Sequence, residues 1–198
     1  MQPNIDLFCQ VFYNIKICIM KNLITATLIL TLFTFSKCEK EKADTNGLPA
    51  ATQEGKNTLG FLLNGQLWKP EGFSGVGNLS IDYDQGINNG TLGIIAYRTL
   101  SSSDKTQFGL GITDSVNLKN APFTLNVRKK SLANFLYSNK NYCDIVHSDT
   151  TIYEDGSITI TKLDRSKRII SGTFEGVLYR QLCGDTIKIT QGRFDMKY

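Results

Sequence analysis

Short runs of alternating apolar and polar residues, bounded by turn-forming residues, fill the chain from residue 58 to its end. In TLGFLLNGQLWKP, the dipeptide Asn64-Gly65 separates two apolar arms, which is a strong signal for a two-residue β-hairpin. This turn pairs Phe61 with Trp68. It therefore predicts that Leu59, Phe61 and Trp68 lie together on the buried face of a sheet.

The alternation is clearest in the C-terminal third of the chain. The segments GSITITKLD, RIISGTFEGVLY and DTIKITQGRFDMKY place apolar residues at alternate positions, as half-buried strands do. The residues predicted to face the core are Ile158, Ile160, Ile170, Phe174, Leu178, Ile187, Ile189 and Phe194.

Glycines interrupt these segments in two ways. Gly172 and Gly176 fall between inward-facing positions, which predicts β-bulges or the close approach of another backbone. Asp155-Gly156 has the composition of a hairpin turn, so we expect a chain reversal there.

Further candidate strands occupy residues 79–84, 91–100, 106–113 and 122–127, while 131–138 fits either a strand or one helical turn. No window carries a helical period over about 11 residues. The pattern predicts an all-β domain, an antiparallel β-sandwich of about nine or ten strands, with a partly open β-barrel as the alternative.

An apolar run at residues 23–35 precedes this domain and follows the short positive start Met20-Lys21. Its length fits a signal-peptide core and falls short of the roughly 18–20 residues that span a bilayer. Cys38 follows this apolar run, at the position where bacterial lipoproteins carry the cysteine that is acylated and becomes the first residue of the mature protein. The junction resembles a lipobox, although Lys37 stands where a small residue is usual. An ordinary signal peptide is the alternative.

These observations divide the chain into three parts. Residues 1–37 form a leader. Within it, residues 1–19 result from a start codon assigned too early, with Met20 as the true start, or alternatively belong to a longer signal anchor. Residues 20–37 form the lipoprotein signal peptide. Residues 38–57 are small, polar and charged, and they predict a flexible tether. Residues 58–198 form a single β-domain.

The charge of the chain argues against a nucleic-acid partner. The formal net charge is +4, and removing everything before Cys38 takes away three lysines and one aspartate, which leaves +2. A nearly neutral domain without a basic stripe does not have the electrostatic footprint of a nucleic-acid-binding protein.

Cys143 and Cys183 are the only cysteines after Cys38. An exported pair is expected to form a disulfide, with two buried free thiols as the alternative. His147 is the only histidine and permits a Cys-His-Cys zinc site as a further alternative. Because no fourth ligand is evident, we predict no metal and no cofactor.

No catalytic residue is predicted. Ser148 and Asp149 adjoin His147, but neighbours in a strand point to opposite faces, which argues against a nucleophile and base acting together.

Three other patterns could indicate a calcium site, a phosphate-binding loop and a basic binding surface, in that order, but a purely structural interpretation is favoured for each. They are the oxygen ligands Asp82, Asp84 and Asn88, the glycines Gly72, Gly75 and Gly77, and the basic run VRKKS at 127–131. We interpret them as a polar hairpin turn, a loop and a solvated turn. The alternative for VRKKS is contact with anionic lipid or cell-surface glycans. Aromatic residues that offer a sugar-binding platform are Trp68, Phe73, Tyr83, Tyr97 and Tyr137, although Trp68 fits the core better.

Three segments of the chain carry a family resemblance: LPAATQEGKNTLGFLLNGQLWKP (48–70), IISGTF (169–174) and GRFDMKY (192–198). Together they resemble an uncharacterised family of small lipoproteins of the Bacteroidota. The resemblance implies a β-rich fold and an envelope location, and it supplies no catalytic residue.

The sequence therefore predicts an exported, non-enzymatic lipoprotein, attached to the outer membrane through acylated Cys38 and facing the periplasm or the cell surface. Its β-domain has a binding or structural role toward a protein or glycan partner. Two alternatives remain: a carrier of small hydrophobic ligands with a barrel cavity, and a hydrolase acting on glycans.

Overall fold

The computed structural model describes residues 44–72, 77–139, 143–146, 149, 151–184 and 186–198. Within these ranges the chain forms eleven β-strands and no α-helix, which confirms the predicted all-β class. The strands are β1 (Thr58–Leu63), β2 (Gln66–Trp68), β3 (Leu79–Asp84), β4 (Thr91–Thr99), β5 (Lys105–Ile112), β6 (Phe123–Arg128), β7 (Ala133–Asn139), β8 (Asp144–Val146), β9 (Ile152–Asp164), β10 (Ile169–Arg180) and β11 (Thr186–Lys197). No helix in the described ranges has the length and apolarity needed to cross a membrane.

The first two strands form the predicted hairpin. Phe61 pairs with Trp68 across the Asn64-Gly65 turn, and both turn residues have positive φ, 49° and 82°. A two-residue hairpin of this kind requires that backbone conformation. Phe61 and Trp68 are fully buried and Leu59 nearly so. The predicted register and the predicted buried face are both confirmed.

The C-terminal third folds into three long antiparallel strands, β9, β10 and β11. Every residue predicted to face the core in this region is buried, with at most 6% of its surface exposed. The alternation was informative because a sheet that buries one face cannot shift its register by one residue without exposing all of its apolar side chains.

The predicted turn at Asp155-Gly156 is wrong. Both residues lie in the middle of β9, where Gly156 pairs with Gly176 of β10, and the chain reverses only after Asp164. A Cβ atom at Gly156 would overlap the backbone of Glu175 and Gly176. Glycine is needed here because two strands approach closely. The resulting Asp-Gly dipeptide has the same composition as a hairpin turn, which is why a turn was predicted.

The prediction for the other two glycines is confirmed. The pairing of β10 shifts register between Ser171 and Gly172 on the β9 side and between Phe174 and Gly176 on the β11 side. A Cβ atom at Gly172 would overlap the carbonyl oxygen of Thr159. Each glycine therefore marks a bulge or a close backbone approach.

The strands form one mixed sheet in the order β2-β1-β11-β10-β9-β6-β7-β5-β4-β3, with β8 beside β7. Among the strands of the described residues, only β6 and β7 pair in parallel, where Val127 meets Ala133. The sheet does not close into a barrel. Its two halves pack face to face, and the Nε1 of Trp68 in β2 donates a hydrogen bond to Thr106 Oγ1 in β5 at 2.8 Å. The result is a sandwich-like fold.

A cluster of aromatic rings fills the space between the two halves. Phe108 lies at its centre, with ring centroids 4.5 Å from Phe61, 6.1 Å from Trp68, 5.8 Å from Phe135 and 5.3 Å from Phe174. All five side chains are buried. Because side chains occupy this interior, the packing gives no support to a ligand carrier with a cavity between the halves.

A disulfide joins Cys143 to Cys183, with their Cα atoms 4.9 Å apart. It connects the segment before β8 to the 3₁₀ turn Gln181–Cys183 that follows β10. A loop of 40 residues closed in this way is expected to stabilise the fold by about 4 kcal/mol. Since both sulfurs are bonded to each other, neither is available as a thiolate ligand for the zinc alternative.

Residues 44–57 require a correction. They were predicted to be the second part of a flexible tether, but they pack against the sheet, and Leu48 is fully buried. The prediction failed because hydrogen bonds to distant residues hold this polar segment, and hydropathy does not report such bonds. We call residues 44–57 the strap. Residues 38–43, and the leader with Cys38, lie outside the described residues.

Candidate functional site

Asp195, near the end of β11, is the point at which the strap is attached. The residue is buried, with 1% of its surface exposed. It accepts hydrogen bonds from the hydroxyls of Thr52 and Ser171 and from three successive strap amides, at distances of 2.5 to 3.2 Å. The amides belong to Glu54, Gly55 and Lys56. A carboxylate with five donors is a strong, charge-assisted attachment.

These hydrogen bonds keep the Asp195 carboxylate ionised. Burial by itself raises its pKa, but the hydrogen bonds from Thr52, Ser171 and the amides of Glu54 and Gly55 outweigh burial. The pKa of Asp195 therefore lies below the usual value for aspartate. At neutral pH the strap is held by an anion.

The three sequence segments 48–70, 169–174 and 192–198 meet at this carboxylate. Thr52 belongs to the first segment, Ser171 to the second and Asp195 to the third. Their contact gives these motifs a structural explanation: they fasten the strap across the end of the sheet.

A second attachment holds the beginning of the strap. Arg193 lies 2.9 Å from the Asp44 carboxylate, and its other terminal nitrogen donates to the carbonyl of Pro49 at 3.3 Å. Pro49 lies directly on Gly60 of β1, where a Cβ atom would overlap the proline ring. The strap is therefore seated on the outer face of the sheet at both ends.

Beside the strap, β6, β9, β10 and β11 present an outward surface that we call the polar face. Strand pairing aligns its central residues in rows across the sheet. The rows are Thr124-Thr159-Thr173-Arg193, Asn126-Ser157-Glu175, Arg128-Asp155-Val177-Lys188 and Tyr153-Tyr179.

A groove of about 560 Å³ lies at one end of the polar face, where the strap meets the sheet. Ala51 of the strap lines it together with residues of three strands. These are Ser157, Thr159, Thr173, Phe174, Glu175, Gln191, Gly192 and Arg193. Hydroxyls, an amide, a carboxylate and a guanidinium supply hydrogen-bond donors and acceptors side by side.

Two tyrosines lie at the other end of the polar face. Tyr153 and Tyr179 are directly opposite each other in the pairing of β9 with β10, and 55% and 38% of their surfaces are exposed. Residues placed in this way have Cβ atoms about 5 Å apart, so two exposed tyrosine side chains lie next to each other at this end of the face. Along β9, about 20 Å separate Tyr153 from Thr159 in the groove.

The charges around the polar face balance in sign. The cations are Arg128, Lys188 and Arg193, and the anions are Asp44, Asp155 and Glu175. Arg128 lies 3.4 Å from Asp155, as Arg193 lies 2.9 Å from Asp44. The four rows together with Asp44 therefore carry no net charge, and the exposed Lys129 and Lys130 lie beyond them in the turn after β6.

Several residues considered from the sequence lie outside the described residues. They are Cys38, Phe73, Gly75, His147 and Ser148. The acylation of Cys38 therefore stays a prediction. Within the described ranges, no group of three or more histidine, cysteine, aspartate or glutamate side chains is placed to hold a metal ion.

The aromatic platform considered from the sequence is not a surface in the described chain. Trp68, Tyr83 and Tyr137 are buried and Tyr97 is half-buried. Trp68, Tyr83 and Tyr137 lie at inward positions of their strands, whereas Tyr97 follows the buried Ala96 of β4 and lies on the outer side.

The polar turns lie where they were predicted. Asp84 accepts hydrogen bonds from the amides of Gly86 and Ile87 in the β3–β4 turn. In the basic run, the amide of Ser131 donates to the carbonyl of Arg128 and closes the turn between β6 and β7. Both patterns have the structural role that the sequence favoured.

The tyrosine pair was missed by sequence reasoning. The signal was present: Tyr153, Asp155, Ser157 and Thr159 alternate with buried residues along β9. The false turn at Asp155-Gly156 divided that alternation, so the outward face was not followed across it.

Comparison of the chain with protein-family models, with curated protein sequences and with solved structures found no match.

Proposed function

We propose that this chain is an exported lipoprotein, anchored to the outer membrane by acylated Cys38, whose domain binds a partner through the polar face. The observation that carries the proposal is the arrangement of that face. It combines an exposed aromatic pair with a polar groove, and the strap that forms the groove wall is firmly attached. Rigid, accessible aromatic and polar groups are typical of binding surfaces.

Asp149 and Asp164 are not suited to be the proton donor of a glycan hydrolase. Such an enzyme needs a carboxylic acid with a raised pKa as its proton donor. Hydrogen bonds from the backbone amide of Thr151 lower the pKa of Asp149, and those from Lys167 lower the pKa of Asp164.

The anchor is tested by a Cys38→Ser variant. Without the thiol, no diacylglycerol can be attached, and we expect the protein to leave the membrane fraction for the soluble fraction when cells are fractionated. Acyl chains contribute about 0.8 kcal/mol per buried methylene, so their loss removes nearly all membrane affinity. Fractionation followed by immunoblotting measures the change, and intact mass measures the acyl modification.

A Cys143→Ser, Cys183→Ser double variant is the control for loss of cysteine as such: it loses the disulfide and its stabilisation but keeps Cys38, so it should remain in the membrane fraction. Membrane retention of the Cys38→Ser variant at the level of the parent chain would contradict the anchor. So would a mature mass that is insensitive to inhibition of lipoprotein signal peptidase.

A further inference from the structure

We infer that the polar face binds a neutral glycan chain, which lies from the groove beside the strap to the Tyr153–Tyr179 pair. This inference rests on the proposed binding role and names the ligand of that surface. Four properties of the polar face support it: its aromatic pair, its hydroxyl rows, its lack of net charge and its length.

The aromatic pair provides stacking surface. Tyr153 and Tyr179 expose large parts of their rings to water, although most of the aromatic rings described above are buried. A sugar ring has one face made mainly of C–H groups, which packs on an aromatic ring and removes both apolar surfaces from water. Two adjacent rings on one rigid sheet offer a preformed surface for this stacking.

The hydroxyl rows provide matching polar groups. Thr124 and Thr159 bring their hydroxyl oxygens to 2.8 Å, and Thr173 continues the same row on β10. A hydroxyl both donates and accepts, as the hydroxyls of a glycan do. A row of such groups can therefore bond a polyol without a fixed pattern of donors and acceptors.

The balance of charge on the polar face favours uncharged polymers over polyanions. A surface for nucleic acid or for an anionic polysaccharide carries an excess of cations. Arg128 and Arg193 each lie beside a carboxylate, and Lys188 is balanced by Glu175. Complementarity of charge therefore favours an uncharged ligand.

The length of the surface favours a chain over a single sugar. The surface extends about 20 Å along β9 from Tyr153 to Thr159 in the groove, which exceeds the size of one sugar ring. Glu175 lines the near end of the groove, and the exposed side chain of Asp155 lies between the groove and the tyrosines. A polymer can occupy both ends at once, and each contact then strengthens the other.

The test is affinity electrophoresis of the full chain, purified from membranes in detergent, through gels that contain one neutral polysaccharide each. The panel consists of amylopectin, laminarin, xylan and mannan, with alginate and DNA as polyanions. We expect at least one neutral polymer to retard the protein. A Tyr153→Ala, Tyr179→Ala variant should bind that polymer about tenfold more weakly, since two aromatic contacts are lost.

Two matched variants locate the effect. Tyr153→Phe, Tyr179→Phe keeps the rings and should retain binding to within about threefold, which separates stacking from hydrogen bonding by the phenol groups. Leu118→Ala removes a side chain that is 70% exposed in the 3₁₀ turn Val116–Leu118, which is not one of the strands of the polar face, and it should leave binding unchanged. Thermal unfolding of all three variants should match the parent, because the substituted side chains are exposed.

The outcomes separate this inference from the proposed function. Absence of retardation by all four neutral polymers, or equal retardation of the tyrosine-to-alanine variant, would overturn the glycan inference. Retardation only by alginate or DNA would also overturn it. If the protein fails to bind glycans but its capture by intact envelopes still depends on the two tyrosines, the proposed binding role stands and the ligand belongs to another class.

Discussion

Replacement of Asp195 by asparagine is expected to lower the free energy of unfolding by about 3–4 kcal/mol at pH 7. The buried carboxylate accepts five hydrogen bonds from the strap and from Ser171. An asparagine side chain keeps one acceptor oxygen but turns an NH₂ group toward the remaining donors. Several buried donors then lose their partner, and each loss carries the cost of desolvation. Denaturant titration measures the change.

The effect of Asp195→Asn should depend on pH. The pKa of Asp195 is lower in the folded than in the unfolded protein because of its hydrogen bonds, with burial acting in the opposite direction. A depressed pKa contributes stability that is complete above the unfolded value, about pH 4, and is lost as the pH falls through the folded value. The difference between parent and variant should therefore shrink below about pH 4.

Two measurements make this prediction specific. In the variant, the amides of Glu54, Gly55 and Lys56 should exchange with deuterium faster than in the parent, since these amides lose their acceptor. Asp82→Asn, at an exposed position of β3, is the control and should change neither stability nor exchange in the strap. A difference in stability that is equally large at pH 3 and pH 7 would show that the charge of Asp195 is not what holds the strap.

Replacement of Phe108 by alanine is expected to lower the free energy of unfolding by about 3–5 kcal/mol. Phe108 is fully buried and contacts four other aromatic rings. Its removal takes away the buried apolar area and leaves a cavity between the two halves of the sheet, which rigid neighbours such as Trp68 fill poorly. A domain of this size has a total stability of about 5–15 kcal/mol, so the variant will be close to unfolding at 37 °C.

Phe108→Leu is the matched variant, because it keeps most of the apolar volume and should cost less than half as much. Tyr153→Ala removes an exposed ring and should change stability by about 0.5 kcal/mol or less. Urea titration compares the three proteins. A cost below about 1 kcal/mol for Phe108→Ala would contradict the central position of this ring in the core.

The sequence by itself determined the all-β class, the β1–β2 hairpin and the inward residues of β9, β10 and β11. These features depend on local information: Asn64-Gly65 sets one turn, and alternation sets which face is buried. Gly172 and Gly176 were informative for the same reason, since glycine within an apolar alternation has few explanations other than a bulge or a close backbone.

Only the tertiary structure decided the places where distant parts of the chain meet. Thr52 and Asp195 are 143 residues apart in sequence, so composition alone predicted a flexible tether where the structure has an attached strap. Asp155-Gly156 looks like a turn signal, but its glycine is needed because the backbone of Gly176 on the neighbouring strand leaves no room for a side chain. A local sequence pattern contains no information about that contact. The polar face likewise depends on pairing: alternation places Tyr153 and Tyr179 outward on separate strands, but the register of β9 with β10 is what makes them one surface.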